Sequence, residues 1–291
     1  MARTVWLASY PKSGNTWLRA VHEAVVTGSE PDINDLGHNH IAAARWAFDV
    51  NLGLRSSDMT REELDLLRPW ADAVLAERAG TDIWRKAHDA FSLGPTGEPV
   101  IGTSTARIAL YVVRDPRDVA VSLAHHAGQT MSWAVRAMCD PDWTVSTGSQ
   151  VLGPQLPQRF GTWSEHVLSW TKQEWLPVHV VRYEDCVARP VETFRRALAA
   201  AGLRASQEDV ALAVERCSWQ RLRRQEEESG FRERTAEGTY FFRRGQVGAW
   251  QEELPVPLAE QLVEHHGPVM AGLGYLEPGG DWSPATLIAG A

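Results

Sequence analysis

The sequence is poor in cysteine and lacks any long apolar run. Its 291 residues contain three cysteines, Cys139, Cys186 and Cys217. They are too few for a disulfide framework, and no two have the C-x-x-C spacing of a metal site. No stretch approaches the roughly 18 apolar residues of a membrane helix, and Lys12 interrupts the first apolar run too early for a secretion signal. We therefore expect a soluble, cytoplasmic protein that does not insert into a membrane.

An excess of positive charge is also absent. The chain has 29 lysines and arginines against 37 aspartates and glutamates, for a net charge of −8. A protein with this balance offers no general surface for nucleic acid, so any phosphate site must be a local cluster of basic groups. The histidines His38 and His40 have no carboxylate or cysteine partner at ligand spacing, so we expect no metal site. The composition is that of a globular protein, and we expect one domain over residues 1–291.

Three apolar runs are each followed by a helical pattern. The runs are Val5–Ser9, Ile108–Val113 and Val178–Arg182. Buried strands alternating with helices predict an α/β fold with a central parallel sheet flanked by helices. Helices are also predicted over 60–79 and 207–226. Residues 139–161 are rich in glycine, proline and serine, and this composition predicts a long mobile loop over one end of the sheet.

The first strand leads into the loop YPKSGNTW at residues 10–17. Gly14 permits a tight turn, Lys12 supplies a positive charge, and the next helix begins with free amides that favour an anion. This pattern predicts a P-loop-like phosphate cradle, although the lysine precedes the glycine, unlike the G-x-x-x-x-G-K-[ST] motif. Taken alone, an ordinary strand-to-helix turn with a solvated lysine also fits.

Two further segments combine basic residues with turn residues. RDPRDVAVS begins at Arg114, at the carboxyl end of the second strand, where open α/β sheets bind ligands, and ends at Ser122. FFRRGQVGAW contains Arg243, Arg244 and Gly245, two forked donors followed by a flexible turn. Taken separately, the first also fits a solvated helix cap and the second a surface turn.

Together these segments resemble the sulfotransferases that use 3′-phosphoadenosine-5′-phosphosulfate (PAPS). The family signatures are Y-P-K-S-G-T-T-W, R-[ND]-P-[RK]-D-x-x-x-S and R-K-G-x-x-G-D-W; the chain departs from them at Asn15, Arg244 and Ala249. The segment FGTWSEHVLSW at 160–170 resembles the family's G-S-W-x-x-H-V-x-x-W. The resemblance covers about residues 5–250, and the compact chain is most similar to bacterial enzymes that tailor natural products.

The resemblance implies a role for each matching residue. Lys12 would neutralise the bridging oxygen as the S–O bond breaks, and Trp17 would stack on adenine. Arg114, Ser122 and the Arg243–Gly245 turn would hold the 3′-phosphate. The full set implied for PAPS binding is Ser13, Gly14, Asn15, Thr16, Trp17, Arg114, Ser122, Tyr183, Trp219, Arg243, Arg244 and Gly245.

Arg85-Lys-Ala-His88 resembles the family's K-[TS]-H motif, which makes His88 the general base and places Lys86 on the transferring group. Imidazole suits proton abstraction near neutral pH. The apolar strand that precedes this motif in the family is weak here, in Gly80–Trp84. The resemblance thus implies in-line transfer of a sulfuryl group to an acceptor hydroxyl, with release of 3′,5′-ADP and no metal.

Two alternatives stay open at this point: a P-loop-type kinase that uses ATP, and a non-catalytic nucleotide-binding relative. The acceptor is expected to be a small hydroxyl-bearing aromatic or natural product. Residues 30–60 and 139–161, with Trp46, Trp133 and Trp143, are expected to form an aromatic wall around it. The sequence does not define an oligomeric state.

Overall fold

The computed structural model describes residues 2–36, 40–147, 153–235, 238 and 240–276. The chain forms two compact units, each assembled from three segments. The first contains Met1–Tyr10, His38–Tyr111 and Pro141–His179, and the second contains Pro11–Gly37, Val112–Asp140 and Val180–Ala291. The single-domain organisation expected from the sequence stays a prediction.

The described strands are β1 (Thr4–Ser9), β2 (His40–Ile41), β3 (Ile83–Ala87), β4 (Ala106–Val113), β5 (Thr144–Val145), β6 (Gln158–Arg159) and β7 (Val178–Arg182). Five of them form a sheet in the order β2-β3-β1-β4-β7, in which β1 and β2 each pair with β3 in parallel. Every residue of β1 is buried. A strand with no exposed face must be covered on both sides, which explains its apolar sequence. The predicted central parallel sheet is confirmed.

The described helices are α1 (Asn15–Thr27), α2 (Arg45–Leu52), α3 (Arg61–Ala79), α4 (Pro116–Ala127), α5 (Met131–Met138), α6 (Trp163–Thr171), α7 (Tyr183–Ala188), α8 (Pro190–Ala200), α9 (Gln207–Arg216), α10 (Trp219–Ser229), α11 (Trp250–Glu253) and α12 (Val256–Gly272). A capping box of Thr60 and Glu63 starts α3, and Gly80 ends it in a left-handed conformation. The predicted helix over 207–226 is instead two helices, separated at Cys217 and Ser218. No described helix is both long enough and apolar enough to cross a bilayer.

Strand β3, in the first unit, is the strand that the sequence pattern showed only weakly. All five of its residues are buried, although two of them, Arg85 and Lys86, are cations. Arg85 forms an ion pair with the buried carboxylate of Asp72 and lies 5.0 Å from the ring centroid of Trp6. Such a partner offsets the cost of burying a charge. Arg85 can therefore occupy a buried strand position that an apolar residue would usually fill.

The predicted loop at 139–161 carries the only other described sheet. Strands β5 and β6 pair antiparallel through Thr144 with Arg159 and Val145 with Gln158. Residues 148–152 of the loop lie outside the described residues. The mobility expected for this loop stays a prediction.

Candidate functional site

The turn after β1 places the signature loop at the start of α1. Lys12 has a φ of 69° and Gly14 a φ of 107°, so both adopt left-handed backbone conformations. Such a φ is strained for lysine and ordinary for glycine. No side chain caps α1 at Gly14, and no acidic residue lies in its first turn. The helix's own first turn therefore supplies no negative charge to the positive end of its dipole.

The ring of Tyr183 closes one side of this loop. A Cβ atom added to Gly14 would lie 2.6 Å from Tyr183 Cδ2, closer than real Cβ contacts. Trp17 meets the same ring edge to face at 5.8 Å, and the Arg114 guanidinium lies 4.3 Å from its centroid. The structure therefore gathers three residues of the predicted PAPS site, Gly14, Trp17 and Arg114, around the phenol ring of a fourth, Tyr183. Burial raises the pKa of Tyr183, so the phenol stays protonated at neutral pH.

Asp118 joins the second basic motif to the third. Its buried carboxylate accepts hydrogen bonds from the backbone N–H groups of Gly248 at 2.8 Å and Trp250 at 2.9 Å. Arg114 donates from Nη2 to the Gln246 carbonyl at 2.8 Å. The family pattern gave Asp118 no role, but it anchors the glycine-containing turn that follows Arg243 and Arg244. Ser122 is half-buried further along α4.

Two carboxylates of α11 form ion pairs with the two arginines of the third motif. Arg243 pairs with Glu253 at 2.8 Å, and Arg244 pairs with Glu252 at 2.7 Å. His125 Nε2 also lies 2.9 Å from Glu253. The predicted 3′-phosphate donors are thus oriented by acidic neighbours that the sequence analysis did not identify. A phosphate here would share the arginines with these carboxylates.

Gly245 lies against the indole of Trp219. Its φ is 64°, and an added Cβ atom would lie 2.5 Å from Trp219 Cδ1. This contact places Trp219, the first residue of α10, beside the Arg243–Gly245 turn, and its implied role at the adenine stays a prediction.

Among the buried polar atoms that have no hydrogen-bond partner in the described part of the chain, four are donors on residues expected to bind PAPS: Ser13 Oγ, Trp17 Nε1, Arg114 Nε and Trp219 Nε1. All four are donors, and buried donors normally find an acceptor. They come from the segments expected to bind PAPS. A nucleotide rich in phosphate and ring acceptors would satisfy such a set, so the residues present fit this ligand.

Phe241 contacts the lysine of the signature loop. The Nζ atom of Lys12 lies 3.4 Å from the centroid of the Phe241 ring. The buried carboxylate of Glu226 accepts the backbone N–H groups of Phe241 at 2.7 Å and Phe242 at 2.9 Å. The ring is therefore held by its backbone, and a cation–π contact of about 0.5–2 kcal/mol orients the ammonium group.

The first unit holds the other two predicted catalytic residues. Lys86 is buried within β3, opposite Leu7 of β1. His88 follows β3, and its Nδ1 atom lies 2.8 Å from the carbonyl oxygen of Ser9. A carbonyl can only accept, so Nδ1 carries a proton, and in the neutral ring Nε2 then keeps its lone pair. This tautomer leaves Nε2 as the atom that can accept a proton.

Two side chains of α6 hold the segment that carries His88. His166 Nε2 donates to the His88 carbonyl at 3.0 Å, and Trp170 Nε1 donates to the Asp89 carbonyl at 2.9 Å. The hydroxyl of Tyr111 donates to His166 Nδ1 at 2.9 Å. Burial lowers the pKa of His166 to about 4, so the ring is neutral at pH 7. The spacing of four residues puts both donors on one helix face, which gives the segment at 160–170 a positioning role that sequence reasoning missed.

Among the described residues, no group of three or more histidine, cysteine, aspartate and glutamate side chains is arranged to hold a metal ion. All the residues that the resemblance implies for catalysis and for PAPS binding lie in described parts of the chain. Asn15 and Thr16 are buried in the first turn of α1.

Comparison with known proteins places the chain among the sulfotransferases, both by a family model and by similar sequences. The model of the sulfotransferase domain matches residues 84–274, more than half of the chain. Cytosolic sulfotransferase 13 of Arabidopsis thaliana is 25% identical over 274 residues, covering 88% of this chain and 73% of its own length. The 3-beta-hydroxysteroid sulfotransferase of Cavia porcellus is 23% identical over 273 residues, covering 91% and 82%.

Solved structures show the same fold. Retinol dehydratase in complex with androsterone and the inactive cofactor PAP has a TM-score of 0.58 at 19% identity, covering 92% of this chain and 81% of its own. Mouse sulfotransferase SULT7A1 complexed with PAP has a TM-score of 0.55 at 20% identity, covering 91% and 84%. At these identities the likeness establishes the fold.

The contact between Gly14 and Tyr183 predicts the effect of a single methyl group. In Gly14→Ala the new Cβ atom displaces the Tyr183 ring, and we expect the affinity for 3′,5′-ADP to fall at least about tenfold. Gly28→Ala is the matched control, since Gly28 also has a left-handed φ, of 63°, but no atom within 4 Å of an added Cβ. Calorimetric titration measures both. Equal affinities in the two variants would show that the Tyr183 contact does not shape the site.

The α6 contact predicts how His166 affects turnover. His166→Gln keeps a neutral donor near the Nε2 position, and we expect turnover within about threefold of wild type. His166→Phe leaves the His88 carbonyl without this donor, and we expect turnover to fall about tenfold with the acceptor KM unchanged. Initial rates from pH 5 to 9 check this, because a neutral His166 predicts parallel pH profiles for wild type and His166→Gln. Equal rates in both variants, or an effect confined to KM, would contradict the positioning role.

Proposed function

The chain belongs to the sulfotransferase family, and we propose that it transfers a sulfuryl group from PAPS to a hydroxyl of a small-molecule acceptor, releasing 3′,5′-ADP. The observation that carries the donor assignment is the set of four buried, unpartnered donors on Ser13, Trp17, Arg114 and Trp219. They lie in the second unit, and three of them, on Ser13, Trp17 and Arg114, are in segments that match the family signatures. An adenosine nucleotide with two phosphate positions is the ligand that those signatures imply.

On the donor side, the chain's own residues bind and neutralise charge. The loop from Lys12 to Thr16 holds the 5′-phosphosulfate, and Arg114, Ser122, Arg243, Arg244 and Gly245 hold the 3′-phosphate. Trp17, Tyr183 and Trp219 bind the adenosine. PAPS supplies a sulfuryl group on a bridging oxygen, and Lys12 neutralises the negative charge that this oxygen gains when the S–O bond breaks.

On the acceptor side, His88 holds the acceptor hydroxyl and accepts its proton at Nε2. The acceptor oxygen forms the new S–O bond, and the electron pair of the broken bond stays on the bridging oxygen of 3′,5′-ADP. The Ser9 carbonyl keeps the His88 tautomer correct, and His166 holds the backbone of that residue. The positive charge of Lys86 stabilises the negative charge on the transferring sulfuryl group, and Lys86 is the third residue of the catalytic set. Most of the acceleration comes from positioning and electrostatics.

The acceptor is proposed as a small organic molecule with a free hydroxyl. The names of the relatives support this class: the Cavia porcellus relative is named for a hydroxysteroid, and a relative from Photinus pyralis, 27% identical over 184 residues, for luciferin. Natural-product tailoring and a cytoplasmic location stay predictions. The relatives described here come from plants and animals.

Replacing Lys12 and His88, two of the three proposed catalytic residues, tests the mechanism. We expect Lys12→Ala and His88→Ala each to lower turnover at least about a hundredfold, the scale of losing one charge-stabilising or acid–base contact. The measurement is the initial rate of 3′,5′-ADP release from PAPS with the best acceptor from a panel of phenols and steroids.

The controls are Lys172→Ala and His265→Ala, which remove exposed residues of the same types. We expect both to retain wild-type turnover. A Lys12 or His88 variant within threefold of wild type would remove that residue from the mechanism.

A further inference from the structure

A cavity of about 400 Å³ opens in the unit that carries His88. It lies among α3, the segment after β3 and the β5–β6 hairpin. Its charged lining comes from Arg61, Asp65, Arg68, Asp89, Asp142 and Arg159. A volume of this size suits a small organic ligand. The equal numbers of acidic and basic side chains make the cavity polar, so the placement of the charges decides what it can bind.

Two of these charges satisfy each other. Arg68 and Asp89 are both buried and form a bidentate pair, with N–O distances of 2.8 and 2.9 Å. In such a pair the guanidinium and the carboxylate hydrogen-bond to each other and their charges cancel, so the pair offers little net charge to a ligand. Asp89 is also the residue after His88, and its carbonyl accepts from Trp170. This pair therefore forms a fixed wall of the cavity, directly next in the chain to the proposed base.

Asp65 differs because its carboxylate lacks a close partner. Its one ion-pair contact with a described residue is to Arg61 Nε at 3.8 Å, which is too long for a hydrogen bond. The Asp65 side chain is 25% exposed, against 44% for Arg61, and Arg159 is exposed as well. The arginines are therefore hydrated at the rim, whereas the carboxylate is partly desolvated. Burial raises the pKa of Asp65, and the positive charges of Arg68 and Arg61 offset this effect only in part.

From this placement we propose that the cavity binds the protonated amine of the acceptor, with Asp65 as its counter-ion. The inference rests on the proposed function and narrows its substrate class to hydroxyl compounds that carry an ammonium group. A cation is attracted more strongly to a partly desolvated carboxylate than to a fully hydrated one, because water screens the charge less. The exposed arginines disfavour a second cation and accommodate a neutral or anionic remainder.

The expected aromatic wall does not line this cavity. Trp143 instead packs with Tyr10 at 5.7 Å and Phe160 at 4.9 Å. Trp46 is exposed on α2, and Trp133 is half-buried on α5. The loop at 139–161 does contribute to the cavity, as expected, but through Asp142, Thr144, Pro157 and Arg159.

Three phenols that differ in one terminal group test the proposal. Tyramine carries an ammonium group, tyrosol a hydroxyl and 4-hydroxyphenylacetate a carboxylate. We expect tyramine to bind the wild-type protein at least about tenfold more tightly than tyrosol at pH 7. We expect 4-hydroxyphenylacetate to bind no more tightly than tyrosol. Calorimetric titration without donor nucleotide measures this directly. Equal affinity for tyramine and tyrosol would overturn the proposal.

Asp65→Asn removes the charge and keeps the shape, so we expect it to abolish the preference for tyramine. Glu77→Gln makes the same chemical change at an exposed position of α3 and should leave the preference intact. A tyramine preference that persists in folded Asp65→Asn would overturn the proposal. If Asp65→Asn does not fold, the comparison of tyramine with tyrosol on the wild type still decides the question.

A separate titration with 3′,5′-ADP distinguishes failure of this inference from failure of the proposed function. Binding of 3′,5′-ADP without a tyramine preference would overturn the ammonium site alone. A tyramine preference without 3′,5′-ADP binding would support the ammonium site and contradict the donor assignment.

Discussion

The turn between β1 and α1 is the constraint on which the proposed donor site depends. Two residues within three positions, Lys12 and Gly14, adopt left-handed backbone conformations there. This geometry brings the buried Ser13 hydroxyl and the uncapped start of α1 into one loop, and it leaves no room for a side chain at position 14 because Tyr183 lies against it. The same ring contacts Trp17 and Arg114. A single backbone turn thus sets the positions of residues that are far apart in the sequence.

The sequence predicted the parts of this arrangement that depend on short-range patterns. The strand before Lys12, the strand before Arg114 and the helices after them follow from apolar periodicity, and the structure confirms them. Strand β3 was hard to predict because Arg85 and Lys86 interrupt its apolar pattern. Their burial depends on partners such as Asp72, 13 residues away from Arg85, and no local pattern reveals such a pair.

Several functional contacts were beyond the reach of the sequence for the same reason. The hydrogen bond from His166 to the His88 carbonyl joins residues 78 positions apart, and those from Gly248 and Trp250 to Asp118 join residues at least 130 apart. The spacing of His166 and Trp170 signals a shared helix face but does not identify the two carbonyls that they bind. Charged neighbours line the cavity beside Asp89, whereas Trp143 packs against Tyr10 and Phe160, so the aromatic wall expected around the acceptor stays a prediction.

We propose that the motifs around Lys12, Arg114 and Arg243 form a site for a nucleotide with a 3′-phosphate. Calorimetric titration of the wild-type protein with 3′,5′-ADP in EDTA, beside 5′-AMP, tests it most directly. We expect micromolar binding of 3′,5′-ADP and much weaker binding of 5′-AMP, because the 3′-phosphate contacts the arginines of the second and third motifs. Equal binding of both nucleotides, or binding of Mg-ATP alone when magnesium is restored, would contradict it.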